Sequence, residues 1–131
     1  MINVGIVAPT GYGGREIVRL VAAHPKVEIS VLASSSAAGR PLSDVVPGLR
    51  GVVDTVCVEP DPELLGDCDL VFFAMPAGMA FRLAVSMRKR HIPVIDTGPD
   101  FRLVDPAVYE VYYGSEHRAE HLLDDLSLIH I

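Results

Sequence analysis

The feature that most constrains this chain is its first thirty or so residues. INVGIV (Ile2–Val7) is a short apolar run that suits a strand buried on both faces. APTGYGG follows at once, and then Ile17, Leu20, Val21 and His24 recur at helical spacing until Pro25 stops them. VEISVL, residues 27–32, reads as a second strand. Strand, helix and strand in so short a span make a βαβ unit, whose crossover is right-handed in nearly every known case.

The same alternation runs on. Residues 34–51 are loop-rich, with Pro41, Pro47 and three glycines, and residues 52–58 are expected to form a third strand. Residues 60–66 have room for a brief helix, LVFFA at 70–74 is a fourth strand, residues 78–90 form a helix with Phe81, Ala84, Val85 and Arg88 along one side, and residues 93–96 make a fifth strand. The fold class is therefore α/β: a Rossmann-like, doubly wound parallel sheet with strand order 3-2-1-4-5. Residues 1–100 are expected to form one domain of this fold, with a dinucleotide as the ligand its glycine-rich turn suits. Residues 101–123, richer in aromatic and charged side chains, read as the start of a connection to a missing substrate domain, and residues 124–131 as a truncated or non-native tail.

Composition narrows the functional classes. At 131 residues, 50% apolar and 21% charged, the sequence belongs to an ordinary folded domain. A formal charge of -6 opposes nucleic-acid binding, which needs a basic face to displace counterions. The basic run Arg88-Lys89-Arg90 is the solvated end of a helix, where cations complement the dipole. No export leader and no membrane span are expected, and the protein is placed in the cytoplasm. Cys57 and Cys68 are too few for a disulfide scaffold and lack metal-ligand spacing, so both are expected to be reduced and semi-buried, and no metal site is assigned.

The segment between the first strand and helix reads A-x-x-G-x-x-G, with Ala8, Gly11 and Gly14 three residues apart. Glycine-rich turns here hold a pyrophosphate because a helix N-terminus offers free N–H groups and missing Cβ atoms allow close approach. They also occur where backbones merely pack, so both readings stand at this point. Ala8 is compatible with a ligand if its φ is negative and the close contact falls at Gly11 and Gly13. Pro9 has no N–H, which leaves Thr10, Gly11, Tyr12, Gly13 and Gly14 as the cofactor cradle. After the second strand, where an NAD-specific protein places an acid on the ribose 2′-OH, this chain has Ala33-Ser34-Ser35-Ser36 and then Arg40. Hydroxyls and a cation without a carboxylate favour the 2′-phosphate of NADP, the other reading being a serine-rich surface turn.

Four blocks together resemble the N-acetyl-γ-glutamyl-phosphate reductases: VGIVAPTGYGGREIVRLVAAHP, SSSAAGRPLSDVVPGLRG, DLVFFAMPAG and VIDTGPDFRLVDPAVYEVYYGSEH. The resemblance runs from Ile2 to about Leu123, and its last block is not a generic Rossmann feature. It implies an NADPH-dependent enzyme of arginine biosynthesis that reduces the acyl phosphate of N-acetylglutamate to a semialdehyde, and a homo-oligomer at full length. Position by position it implies that Thr10 to Gly14 hold the pyrophosphate, that Ser34 and Ser36 lie near the adenosine phosphate with Arg40 beyond them, and that Ala74, Met75, Pro76 and Gly78 border the cofactor. Asp100, Phe101 and Arg102 would stand where the nucleotide domain meets the substrate domain, and for Asp100 and Arg102 a mutual salt bridge competes with contact to substrate.

The sequence departs from the family pattern at Ala8, where glycine is usual, near Ser35, where a basic residue is usual, near Ala77, where a histidine or other polar residue is usual, and near Gly98, where serine is usual. The family's reaction also needs a cysteine in an Asn-Pro-Gly-Cys context, which this chain does not contain. Cys57 and Cys68 lack the neighbours that would lower a thiol pKa, and His24, His91, His117 and His121 read as surface or capping residues, so no catalytic residue is assigned. Two other readings stay open: a sibling reductase of aminoadipyl or aspartyl phosphate, and a dinucleotide-binding module without chemistry.

Overall fold

The computed structural model describes residues 1–103 and 105–125. Four parallel strands, β1 (Ile2–Val7), β2 (Val27–Ala33), β3 (Leu70–Phe73) and β4 (Val94–Asp96), lie in the order β2-β1-β3-β4. Helix α1 (Tyr12–Ala22) joins β1 to β2, and α4 (Phe81–Lys89) joins β3 to β4. The short helices α2 (Leu42–Val45) and α3 (Pro62–Gly66) lie between β2 and β3, and α5 (Pro106–Tyr113) follows β4.

Side chains of β1 alternate between two cores, as the strand period requires. Val4 and Ile6 pack with Val18 of α1, Leu32, Leu42 and Leu49. Val7 faces the other side, with Val71 and Phe73 of β3 and Phe81, Leu83, Ala84 and Met87 of α4. Burial on both faces is what selects the near-continuous apolar strands. Each fully buried aliphatic or aromatic side chain contributes about 1.5–3 kcal/mol. On α1 the deepest contact is Val18, while Leu20, expected on the apolar stripe, is more than half exposed.

The sheet differs from expectation at one edge. Residues 52–58 form no strand: their β-pairings are two single bridges, Val58 parallel to Ala33 and Val56 antiparallel to Pro41. Val58 therefore lies beside β2, where a third strand was expected. The ladder stops there because this segment also serves the 37–42 turn, with the N–H of Cys57 donating to Arg40 and the N–H of Leu42 to Thr55.

Helix ends follow local chemistry. Asp61 caps α3 by accepting from the N–H of Glu63 at 2.8 Å, and Asp105 caps α5 by accepting from Ala107 at 2.9 Å, each followed by a proline in the first turn. Gly114 ends α5 in the left-handed region at φ 68°. The expected helix over residues 78–90 begins later, at Phe81, because Gly78 has φ 83°. The tail assigned to residues 124–131 lies outside the described residues from position 126 on. Among the described residues no helix is long and apolar enough to cross a membrane.

Candidate functional site

All four strands end at one edge of the sheet, and the segments that leave them there are the ones the sequence marked. Between β1 and β3, chain connections depart in opposite directions, the crevice where open α/β sheets bind ligands.

After β1, the N–H of Ala8 donates to the Ala33 carbonyl at 2.9 Å, tying the turn to the end of β2. Ala8 has φ 61°. The condition of a negative φ is not met: the chain turns into the left-handed region just before Pro9, and alanine is strained there. The three glycines divide the work. A Cβ on Gly14 would lie 2.1 Å from the Ala8 carbonyl oxygen and 2.8 Å from Pro9 Cα, so Gly14 lets helix and turn touch. A Cβ on Gly11 or Gly13 would meet nothing within 4 Å. Gly11 immediately precedes α1 and no side chain caps the helix start, while Tyr12, at 94% exposure, stands clear of the turn. Open space over two glycines and an uncapped helix start is the geometry a pyrophosphate needs. Thr10 is half-buried, and its carbonyl accepts from Arg15 Nε at 2.7 Å.

After β2, Ser34 is buried, its N–H donating to Val58 at 2.8 Å, and its Oγ lies 3.2 Å from that of Ser36. Ser36 and Arg40 are exposed. No acidic residue occurs between Ala33 and Arg40.

After β3, Ala74 is held by its N–H to the Val7 carbonyl at 3.1 Å, next to the glycine turn. Pro76 is exposed and Gly78 half-buried. The N–H groups of Gly78 and Ala80 both donate to Asp100, at 2.8 and 3.1 Å. A Cβ on Gly98 would fall 2.9 Å from the Met75 carbonyl oxygen, so the glycine there lets the segments after β3 and β4 run close together.

Asp100 and Arg102 do not form the competing salt bridge. The carboxylate of Asp100, 1% exposed, accepts from Gly78, Ala80 and the Tyr109 hydroxyl, the last at 2.7 Å, while the Arg102 guanidinium donates to the Thr97 carbonyl. Burial, then the hydrogen bond and charge of Asp100, push the Tyr109 hydroxyl up to about 12, so it stays a donor. His117 is not a surface residue. It is buried, with Nε2 on the Asp100 carbonyl, Nδ1 accepting from Ala119 at 3.3 Å, and its ring against Phe81, Phe101 and Tyr109. Sequence reasoning missed this cluster. Its members are spread from position 81 to 117, and the only local trace is the Asp-Pro cap that starts α5.

A cavity of about 430 Å³ lies two strands away from the glycine turn, beside β4, lined by Phe73, Ala84, Ile92, Asp96, Phe101 and Leu122 among others. Asp96 has one oxygen on the Gly98 N–H at 2.8 Å and the other without a partner among the described residues. Burial, supported by the charge of Asp100, raises its pKa against the opposing Gly98 hydrogen bond and the charge of Arg102. Cys57 and Cys68 are free and buried. Burial raises both thiols, and Asp67 and Asp69 raise Cys68 further, which is the reverse of an activated nucleophile.

A parallel α/β sheet with a glycine turn at its switch point defines a dinucleotide-binding domain. More particularly, residues 3–123 match the NAD-binding domain of the semialdehyde dehydrogenases, and the chain belongs to that family. It is 47% identical over 94% of its length to N-acetyl-gamma-glutamyl-phosphate reductase of Nitrosococcus oceani, and 47% identical over 95% to the enzyme of that name in Halorhodospira halophila. The chain spans 36% of the length of each of these relatives. Among solved structures, aspartate semialdehyde dehydrogenase with NADP from Candida albicans superposes with a TM-score of 0.68 at 28% identity, over 78% of this chain and 31% of that one.

Proposed function

We propose that this chain is the NADP-binding part of an N-acetyl-γ-glutamyl-phosphate reductase. The observation that carries the reading is the open cradle over Gly11 and Gly13 at the sheet's switch point, in a sequence 47% identical to reductases of that name. Tyr12, Gly13 and Gly14 at the start of α1 would present N–H groups to the pyrophosphate, with Thr10 and Gly11 forming the approach. Ser34, Ser36 and Arg40 would take the adenosine 2′-phosphate, and the absence of a carboxylate between Ala33 and Arg40 supports NADP over NAD. Ala74, Pro76 and Gly78 would border the nicotinamide end. When bound, the cofactor supplies a hydride to an acyl group activated elsewhere in the protein. This chain's residues bind and orient that cofactor. The nucleophile belongs outside it, since Cys57 and Cys68 are buried, un-ionised thiols. The same reading makes the whole protein a cytoplasmic homo-oligomer acting on N-acetylglutamyl phosphate.

The test is a fluorescence titration of the purified chain with NADPH and with NADH. NADPH is expected to bind at least tenfold tighter, about 1.4 kcal/mol, and Arg40→Ala to erase most of that preference. Equal affinities, or tighter NADH, would reduce the serine segment to a surface turn.

A further inference from the structure

We propose that Asp100 is a positioning residue for the cofactor, its buried carboxylate holding the loop between β3 and α4 in shape without touching the ligand. The inference rests on the cofactor reading above. A carboxylate taken out of water is costly unless its oxygens are satisfied, and an apolar side chain would fill the same space at lower cost. Asp100 is 1% exposed, and its three donors come from two places. Two are backbone N–H groups of the loop, Gly78 at 2.8 Å and Ala80 at 3.1 Å; the third is the hydroxyl of Tyr109 on α5, at 2.7 Å. A single side chain thus holds the residue that precedes α4 from twenty residues away and also holds Gly78, whose backbone is left-handed at φ 83°.

The start of the loop is anchored by Ala74 on Val7 and by the buried Met75, but its outer part has few other anchors. Pro76, Ala77 and Met79 are exposed, and Met79 donates to Pro76 at 3.3 Å. Asp100 itself is set by what surrounds it. His117 holds its carbonyl, and the Phe81 ring, which leads out of the loop, packs edge-on against Phe101 and Tyr109 with centroids 5.9 Å away and against His117 at 4.6 Å. The segment after β4 therefore dictates the shape of the cofactor's border after β3.

The experiment uses the whole 131-residue chain. Asp100→Asn keeps the shape but sets an NH₂ against a donor. Leu122→Ala removes buried volume from the same core without touching the loop. Two readouts are taken under conditions where circular dichroism shows every variant folded: amide hydrogen exchange at Gly78 and Ala80 without cofactor, and the Kd for NADPH. Asp100→Asn is expected to accelerate exchange at those two amides selectively and to weaken NADPH by about tenfold. Leu122→Ala should leave Kd within about twofold even where it lowers stability as much. Wild-type affinity in Asp100→Asn, or equal weakening in Leu122→Ala, overturns the proposal while the cofactor reading stands. A wild-type chain that binds no NADPH overturns both. Where Asp100→Asn does not fold, Tyr109→Phe carries the test. It removes one donor and should weaken NADPH about threefold with faster exchange at Gly78, an unchanged Kd being the overturning result.

Discussion

Gly14 and Gly13 are adjacent, yet their replacement by alanine should have opposite consequences. At Gly14 the new methyl would lie 2.1 Å from the Ala8 carbonyl oxygen and within 3 Å of two Pro9 backbone atoms. Relief needs a displacement of roughly 1 Å, because such atoms rest more than about 3 Å apart. Neither side yields easily, since the obstacle is backbone held to Ala33 and Pro9 is itself buried. Overpacking of this kind costs about 1–3 kcal/mol, and a rigid obstacle puts it near the upper end. The better helix propensity of alanine returns at most about 1 kcal/mol, leaving a net loss of about 2 kcal/mol. For a chain of this size that lowers Tm by roughly 8 °C. Gly13→Ala meets nothing within 4 Å, so its Tm should hold or rise by about 2 °C, while NADPH affinity falls at least about tenfold because the methyl occupies the ligand's approach. Thermal melts by circular dichroism, paired with NADPH titrations, separate the two effects. A Gly14→Ala protein that melts within about 2 °C of wild type would refute the packing argument. Unchanged NADPH binding in Gly13→Ala would remove the cradle.

Three further outcomes are expected. Ala8→Gly relieves a left-handed alanine and should stabilise the domain by about 1 kcal/mol, raising Tm by about 4 °C; a lower Tm would mean that the alanine methyl contributes packing worth more than the strain. Asp96→Asn should be more stable than wild type at pH 7, because the carboxyl's pKa is raised by burial and each unit of that rise costs about 1.4 kcal/mol when the group is ionised. That advantage should shrink as pH falls through the raised pKa, where the native carboxyl takes up its proton; denaturant melts across pH 4–7 that show a constant difference would contradict it. Finally, the chain mixed with N-acetylglutamate semialdehyde, phosphate and NADP should generate no NADPH absorbance. Turnover lost on Cys57→Ser or Cys68→Ser would place the nucleophile in this domain after all.

What could be read in advance depended on the range of the interaction. β1, α1 and β2 were legible because strand and helix periods are local and Pro25 marks the break; β1 runs over Ile2–Val7 as expected. The strand expected at residues 52–58 failed for a non-local reason, since these residues hold the 37–42 turn instead of a ladder. Within the glycine turn, spacing picked out the three glycines but not their division of labour, because Gly14 differs from Gly11 and Gly13 only in what lies opposite it in space. His117 and Tyr109 look like polar surface residues in a charged segment. Only the fold reveals that they close around Asp100.

The Asp100 cluster also sets an order of assembly. Loop residues Gly78 and Ala80 precede their carboxylate by about twenty positions, and the carboxylate waits in turn for Tyr109 and His117. During synthesis, β1 to β3 and the glycine turn are made early, and Ala74 can dock on β1, but the outer part of the β3–α4 loop lacks its Asp100 fastening until the segment through His117 has left the ribosome. A nascent chain shorter than this should display the glycine turn while its β3–α4 loop samples many conformations. Maturation of the proposed cofactor site is then timed by the segment leading away from it.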